Sequence, residues 1–446
     1  MTCPKRNGPG PDLTRRQFLA RSAMAAGTAA LPWYIPASAL GRGGAVPPSE
    51  RIVMAGIGLG GRGSYDQTAM LNEPDVQWVA VCDVVKTRRE AAKKRVDAKY
   101  GNTDCAAYFD LRRLLAERTD VDAVLIATGD RWHALAATLA MQAGKDVYCE
   151  KPACLTMAQG QMVVDTARRY SRVYQTGAQR LSEPNHVFAI EMARTGRLGP
   201  IHTAYADCRW RDGARRDYLP AQPEPPSEEV AWDLWLGPAP WRPYNSAYVN
   251  GGGWYHYYDF ATDVAMWGAH TVAQALAGLD MTNVGAIQFQ YAGPDATMEV
   301  RLSKEVKLVL FRVAGSVWDP CQFWHGACGE RFDGPEGWTA AADGYTGPDV
   351  SSPALLSQYK KVLADYTVRT RRPLSHVRDF LDCIRSRRAT VASPDVMYRS
   401  MKICLAADIC EELQRDVTFD LVNAEFVGDA HANRMRSRAM RPPFLA

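Results

Sequence analysis

Arg51-Ile52-Val53-Met54-Ala55-Gly56-Ile57-Gly58-Leu59-Gly60-Gly61 is the stretch that decides the fold. Its apolar half reads as a buried strand, and the run breaks directly into glycines before helical character begins at Gly61. A strand ending in G-x-G-x-x-G and opening a helix is the turn on which a dinucleotide pyrophosphate rests. Gly56 permits the tight turn, Gly58 lets the backbone approach the phosphates, and Gly61 lets helix and strand pack closely. The helix N-terminus turns unpaired N–H groups and a partial positive charge toward the anion. Gly60 and Arg62 belong to the same candidate loop.

Outward from this turn, a second strand over Gln77–Cys82 ends in Asp83, about twenty residues past the glycines as the fingerprint requires. An acidic side chain there accepts hydrogen bonds from ribose hydroxyls and repels a 2′-phosphate. NAD is thus favoured over NADP, with Lys86 and Arg88 pulling the other way. Helices over Thr87–Tyr100, His133–Ala143 and Thr156–Tyr170 then alternate with strands over Val121–Ala127 and Asp146–Cys149. This alternation predicts a parallel, doubly wound sheet.

Ahead of this domain, Thr14-Arg15-Arg16-Gln17-Phe18-Leu19 has the twin-arginine pattern of a signal that exports folded proteins. Lys5, Arg15 and Arg16 precede an apolar, alanine-rich run from Phe18 to Leu31, too short to span a bilayer as a stable helix. Ala37-Ser38-Ala39 supplies a small-x-small cleavage site. Residues 1–39 are therefore expected to be a signal peptide cleaved after Ala39. The mature protein would be periplasmic or secreted, with the Tat translocase as its partner during export.

The chain of 446 residues is long enough for two domains. A formal net charge of +4 with no basic stripe gives no electrostatic case for nucleic acid. Eleven cysteines are scattered without C-x-x-C spacing, so no metal site is expected. Pairing of Cys321 with Cys328 stays open. Arg434, Arg436, Arg438 and Arg441 make residues 426–446 a basic tail, read as a solvated, mobile terminus. Trp232, Trp235, Trp241, Trp254 and Trp267 bunch together, either to wall a pocket for a ring such as a sugar or to pack a core.

Further motifs follow in order: Ala127-Thr128-Gly129-Asp130-Arg131-Trp132-His133, Cys149-Glu150-Lys151-Pro152, Gly177-Ala178-Gln179-Arg180, Trp232-Asp233-Leu234-Trp235-Leu236-Gly237-Pro238, Gly251-Gly252-Gly253, Trp267-Gly268-Ala269-His270 and His376-Val377-Arg378-Asp379-Phe380. From about residue 50 to about residue 425 the series resembles the glucose–fructose oxidoreductase/inositol dehydrogenase (Gfo/Idh/MocA) family. The resemblance implies an α/β protein, with a Rossmann NAD-binding domain over 50–177 and a substrate-binding α/β domain over 178–425. The second domain would be built on an open, mostly antiparallel sheet, a face that often serves relatives as a dimer surface. Ile201–Arg209, Val284–Tyr291, Thr297–Leu302 and Val306–Val313 read as its strands, with helices over Leu374–Ser386 and Pro394–Leu413.

The family also implies site residues. Lys151 is the residue that holds the reacting hydroxyl and favours an alkoxide-like transition state, with Glu150 and Pro152 fixing its setting. The Glu150–Lys151 bond before Pro152 is expected to be cis. His270 is the candidate general base, because histidine titrates near neutral pH. Family oxidoreductases carry aspartates four residues before and three after that histidine, where this chain has Met266 and Ala273. Asp263, on the same helical face, is the candidate support for His270, and Asp259 reads as a helix cap. Thr128, His133, Glu150 and Arg180 join Lys151 on the cofactor side, His133 with a capping role as its alternative. Trp254, Tyr255 and His256 are the candidate contacts to a carbohydrate or cyclitol substrate. Three functions compete: an oxidoreductase with tightly bound NAD, a redox-neutral NAD-dependent glycoside hydrolase or lyase using transient ring-carbon oxidation, and a non-catalytic carbohydrate-binding protein.

Overall fold

The computed structural model describes residues 46–208, 214–279, 281, 284–291, 293, 297–311, 327–344 and 346–444. The export segment, its cleavage site and Cys321 lie outside the described residues. Residues up to Arg51 form a unit of their own, in which one 3-10 turn over Pro48–Glu50 is described. The rest of the chain, from Ile52, is the second unit.

That unit opens with β1 (Ile52–Ile57), α1 (Gly61–Leu71), β2 (Val76–Cys82), α2 (Lys86–Tyr100), β3 (Ala106–Tyr108), α3 (Leu111–Glu117), β4 (Ala123–Ile126), α4 (Asp130–Gln142), β5 (Asp146–Cys149), α5 (Met157–Arg169) and β6 (Tyr174–Thr176). The strands form one parallel sheet in the order β3-β2-β1-β4-β5-β6. Apolar runs buried on both faces account for β4 and β5. Side chains stop the helices from fraying: Asp110 accepts from the Arg112 N–H at the head of α3, and Thr156 from the Gln159 N–H at the head of α5. Helix α4 begins three residues earlier than the pattern predicts, which brings Asp130 and Arg131 into its first turn.

Beyond α6 (Pro184–Arg194) come β7 (Thr203–Asp207), α7 (Trp232–Leu236), α8 (Ser246–Val249) and α9 (Ala265–Gly278). Strands β8 (Ala286–Gln290), β9 (Met298–Arg301), β10 (Lys307–Phe311), β11 (Glu330–Gly334), β12 (Gly337–Ala341) and β13 (Asp349–Val350) follow. The last elements are α10 (Pro353–Leu356), α11 (Tyr359–Thr370), α12 (His376–Ser386), α13 (Pro394–Leu413), β14 (Val417–Asp420), β15 (Glu425–Phe426) and α14 (Ala430–Arg434). The second sheet has nine strands, ordered β13-β12-β11-β7-β10-β9-β8-β14-β15. Only the β7–β10 pair is parallel, so the sheet is mostly antiparallel as expected. Helix α9 is buried along most of its length and packs against β7, β11 and α13.

The chain's last third returns to the first sheet. Phe380, Leu381 and Cys383 of α12 pack with Met54, Trp78 and Tyr148, and Arg378 binds Asp75 at 2.8 Å. The basic tail is not a solvated, mobile terminus. Phe444 is buried edge-on against Trp132, Arg441 pairs with Asp233 at 2.6 Å, and Arg438 donates to the Tyr258 carbonyl at 2.6 Å. Arg438 and Arg441 sit over aromatic rings and Arg436 donates to the Ala424 carbonyl, partners that charge clustering alone does not reveal. No helix among the described residues is long and apolar enough to cross a membrane.

Candidate active site

A cleft of about 670 Å³ opens at the carboxyl ends of β1, β2, β4 and β5. Its centre is the β1–β4 junction, where strand order reverses and ligands of such sheets bind. Gly58 has φ +78°, and a Cβ there would stand 2.6 Å from Thr128 backbone atoms. The close helix–strand packing assigned to Gly61 belongs instead to Gly63. A Cβ on Gly63 would meet the Gly58 carbonyl oxygen at 2.1 Å, whereas one on Gly61 meets nothing within 4 Å. The N-terminus of α1 starts immediately after Gly60 and has no side-chain cap. Gly58, Gly60 and Gly61 line the cleft, whereas Gly56 lies beneath it against Trp78. This cradle fits a dinucleotide pyrophosphate: a glycine turn, free helical N–H groups and open space in front of them.

Asp83 lines the cleft, but both its oxygens are engaged from behind. Oδ2 accepts from the Leu59 N–H at 2.7 Å and Oδ1 from the Val85 N–H at 2.9 Å. Burial raises its pKa. Asp83 therefore also braces the glycine loop, a role the ribose-binding expectation did not include. Arg88, likewise in the cleft wall, donates to the Val249 carbonyl at 2.6 Å.

Glu150-Lys151-Pro152 ties four elements together. Glu150 accepts from Arg62 of α1 at 3.3 Å and from Gln179 Nε2 at 2.7 Å. Lys151 Nζ crosses the cleft to donate to the Met266 carbonyl of α9 at 2.7 Å. The Pro152 carbonyl accepts from His133 Nδ1 of α4 at 2.7 Å. The cis bond is Lys151–Pro152, one position after the bond expected to be cis, because only the proline nitrogen makes a tertiary amide. Burial lowers the pKa of Lys151. Beside Glu150 and Arg62, Asp66 is pushed up to about 8 by burial and by the Glu150 charge.

His133 is a clamp. Its Nε2 accepts from the Gly129 N–H at 3.1 Å, and burial pushes it down to about 4. Arg180 lines the cleft but its fork grips both Asp343 oxygens, at 2.9 and 2.5 Å. Glu183, His186 and Asp343 hold three potential metal-ligand atoms within 4.8 Å of one another. Arg180 occupies the Asp343 oxygens, and Glu330 takes His186 Nδ1 at 2.8 Å.

On the opposite wall, His270 faces the cleft from α9. Its titration does not lie near neutral pH: burial, then the charges of Lys151 and Arg180, hold it well below the ordinary histidine range. Nor does Asp263 support it. His270 Nδ1 is buried without a hydrogen-bond partner, and Asp263 acts on Asp408, which it helps push up to about 8 after burial. Asp408, distant in sequence, receives the Val264 N–H at the head of α9 at 2.8 Å. Asp259 does not cap that helix; it pairs with the fully buried Arg242.

The tryptophans divide between the two readings. Trp235, Trp254 and Trp267 line the cleft, Trp232 is core stacked on Trp235 at 4.8 Å, and Trp241 is exposed. Tyr255 lines the cleft, stacked on Trp254 at 3.8 Å. His256 is exposed and outside the cleft wall, because the 3-10 turn Gly253–His256 points it away. Sequence reasoning missed Asp130 and Arg131, both buried in the cleft wall. Their signal was present: two charges in a turn directly after an apolar strand.

A family model described as an oxidoreductase family with an NAD-binding Rossmann fold matches residues 51–178. A second, described as the oxidoreductase family's C-terminal alpha/beta domain, matches residues 346–446; together they cover just over half of the chain. A glycosyl hydrolase family 109 protein of Stenotrophomonas maltophilia is 31% identical over 194 residues, 42% of this chain and 40% of that protein. An inositol 2-dehydrogenase of Salmonella typhimurium is 32% identical over 147 residues, 32% of this chain and 41% of that protein. The chain thus spans less than half the length of these relatives. In fold it is similar to the WlbA dehydrogenase of Chromobacterium violaceum, solved with NADH and UDP-GlcNAcA (TM-score 0.57, 16% identity, 83% of this chain and 96% of that one). It is also similar to an aldose-aldose oxidoreductase of Caulobacter crescentus (TM-score 0.53, 17% identity, 82% and 99%).

Proposed function

Because this chain belongs to the Gfo/Idh/MocA family of NAD-binding oxidoreductases, we propose that it oxidises a hydroxyl of a sugar or cyclitol with NAD held in the cleft. The observation that carries this reading is Lys151, a desolvated ammonium spanning the cleft 2.7 Å from the Met266 carbonyl. It can exchange that carbonyl for a substrate hydroxyl and stabilise the negative charge that develops on the oxygen. A bound nicotinamide would supply the hydride acceptor. The glycine turn and the head of α1 would hold its pyrophosphate, and the carboxylate of Asp83 disfavours a 2′-phosphate. Trp254 and Tyr255 offer a flat aromatic wall for a pyranose or cyclitol ring. His270, kept neutral, serves as a hydrogen-bonding group that orients the substrate.

We read residues 1–39 as a Tat signal, so the working compartment is the periplasm or beyond. No soluble nicotinamide pool is expected there, and the cofactor should stay bound and be recycled by a second substrate. A redox-neutral glycosidase is the second reading. It is favoured by Met266 and Ala273 at the two aspartate positions and by the family 109 relatives; a hydride borrowed and returned needs no external acceptor.

One experiment separates these readings: purify the folded protein and assay for co-purifying NAD(H). Retained cofactor with net oxidation of a sugar or cyclitol supports the oxidoreductase. Retained cofactor with release of free sugar from an aryl glycoside and no net reduction supports the glycosidase. Absence of nucleotide, and of affinity for it, defeats both.

A further inference from the structure

Asp130 opens α4 in the cleft wall and is only 1% exposed. From other residues its carboxyl receives one long hydrogen bond, from the Thr262 N–H to Oδ2 at 3.3 Å, beside one from its own backbone N–H, and it forms no ion pair with the described residues. The other buried carboxylates of the cleft are better satisfied: Asp83 by two backbone N–H groups and Glu150 by Arg62 and Gln179. A buried carboxyl so thinly partnered is costly, and such groups concentrate where chemistry is done.

The groups acting on it come from every side. Lys151, from the turn after β5, and Arg131, on its own helix, pull its pKa down, but burial outweighs both and Asp130 stands at about 7. From the 3-10 turn, Tyr255 is itself pushed up to about 12 by burial and by the Asp130 charge. The thiols of Cys149 and Cys154 are kept protonated by burial. Across the cleft His270 is too weakly basic to take a proton at neutral pH, and positions 266 and 273 carry no carboxylate.

We propose that Asp130 accepts the hydroxyl proton in this site, working beside Lys151. The inference rests on the oxidation reading above. The substrate O–H bond breaks and its proton passes to the Asp130 carboxylate. The electron pair left on oxygen closes the C=O bond as the C–H pair leaves as hydride, for which a bound oxidised nicotinamide would be the acceptor. In the return half-reaction the neutral acid gives the proton back.

Two arms test this on the full protein. In the first, without substrate, infrared spectra are followed through a pH titration. The difference between wild type and Asp130→Asn should contain a protonated-carboxyl band that titrates near neutrality. In the second, turnover of a panel of sugars and cyclitols is measured across pH. Asp130→Asn should lose about 100-fold or more in kcat together with the acidic limb of the profile. It should bind NAD as wild type does, and Asp130→Glu should restore part of the rate. An unchanged acidic limb, or a rate within a few-fold of wild type, overturns the assignment. If wild type oxidises no member of the panel, the oxidation reading fails by itself, and the infrared arm alone judges Asp130. A missing band then overturns it, and a titrating band keeps it as the proton acceptor of the cleft.

Discussion

Replacing Gly63 by alanine isolates the contact that sets α1 against the cofactor turn. The added Cβ would stand 2.1 Å from the Gly58 carbonyl oxygen and 3.1 Å from Ala127 Cβ. The oxygen is backbone and cannot swing aside, so α1 must shift by roughly 1 Å to reach an ordinary contact. Such overpacking costs up to about 3 kcal/mol, and the better helix propensity of alanine offsets about 1 kcal/mol of it. The net loss is then about 2 kcal/mol, which for a unit of this size lowers Tm by roughly 2–3 °C. Gly61→Ala is the control, because its Cβ meets nothing within 4 Å and its Tm should not fall. Scanning calorimetry reads stability and isothermal titration reads NAD affinity. Gly63→Ala should weaken NAD binding as well, because the shift opens the turn around Gly58. If Gly63→Ala is as stable as wild type, or if Gly61→Ala is the more damaging of the two, the packing assigned here to Gly63 is wrong.

Lys151→Ala should abolish turnover while leaving NAD affinity within a few-fold of wild type; full activity in steady-state assays refutes its role. Acid stability should report two clamped histidines: His133 and, at the head of α12, His376, whose Nδ1 meets Ser182 Oγ at 3.0 Å and whose Nε2 donates to the Thr176 carbonyl at 2.8 Å. His133 and His376 stand at about 4 in the folded protein because burial disfavours the cation, against about 6.5 unfolded. At these two sites the unfolded chain therefore binds more protons between these values, and their contribution to stability is full above about pH 6.5 and lost as pH falls toward 4, by up to roughly 3 kcal/mol per histidine. Asp66, Asp130 and Asp408, raised to about 8, 7 and 8 by burial, act in the opposite sense over this range, so urea unfolding of wild type and His376→Gln is compared at pH 7 and pH 5; the same change with pH in both proteins would contradict the assignment.

What was legible in the sequence was local. An apolar run that breaks into glycines, an acid some twenty residues on and strand–helix alternation need only near neighbours, and β1, β2, β4 and β5 stand within a few residues of their predicted bounds. Three-residue strands such as β3 and β6 are too short to show a period. Long-range partners were hidden. That Asp408 rather than Asp259 meets the head of α9, that Arg242 claims Asp259, and that Phe444 docks on Trp132 all depend on segments brought together by the fold. Gly63 was missed for a related reason: the fingerprint fixes the spacing of its glycines, but the lie of the helix decides which one touches the strand. Asp130 resembles a surface turn residue until α4 is seen to start there.

The Glu150-Lys151-Pro152 tripeptide explains why a motif so short can govern the site. Each residue reaches a different element: Glu150 to α1 and Gln179, Lys151 to α9, and Pro152 to His133 of α4. Glu150 is therefore a positioning residue. Its carboxylate also accepts from the Lys151 N–H at 3.2 Å, fixing the backbone from which the ammonium reaches out. Glu150→Gln keeps the volume and one acceptor oxygen but removes the charge that binds Arg62. It also removes the repulsion that, after burial, holds Asp66 at about 8. The variant should fold, bind NAD with near wild-type affinity and lose about tenfold or more in kcat, since small misplacement of a catalytic group is costly. Because Asp66 then ionises at lower pH, Arg62 keeps one carboxylate partner, at 2.8 Å, and α1 stays in place. A KM effect without a kcat effect would assign Glu150 to substrate binding instead, and a collapse of NAD affinity would make it a cofactor ligand.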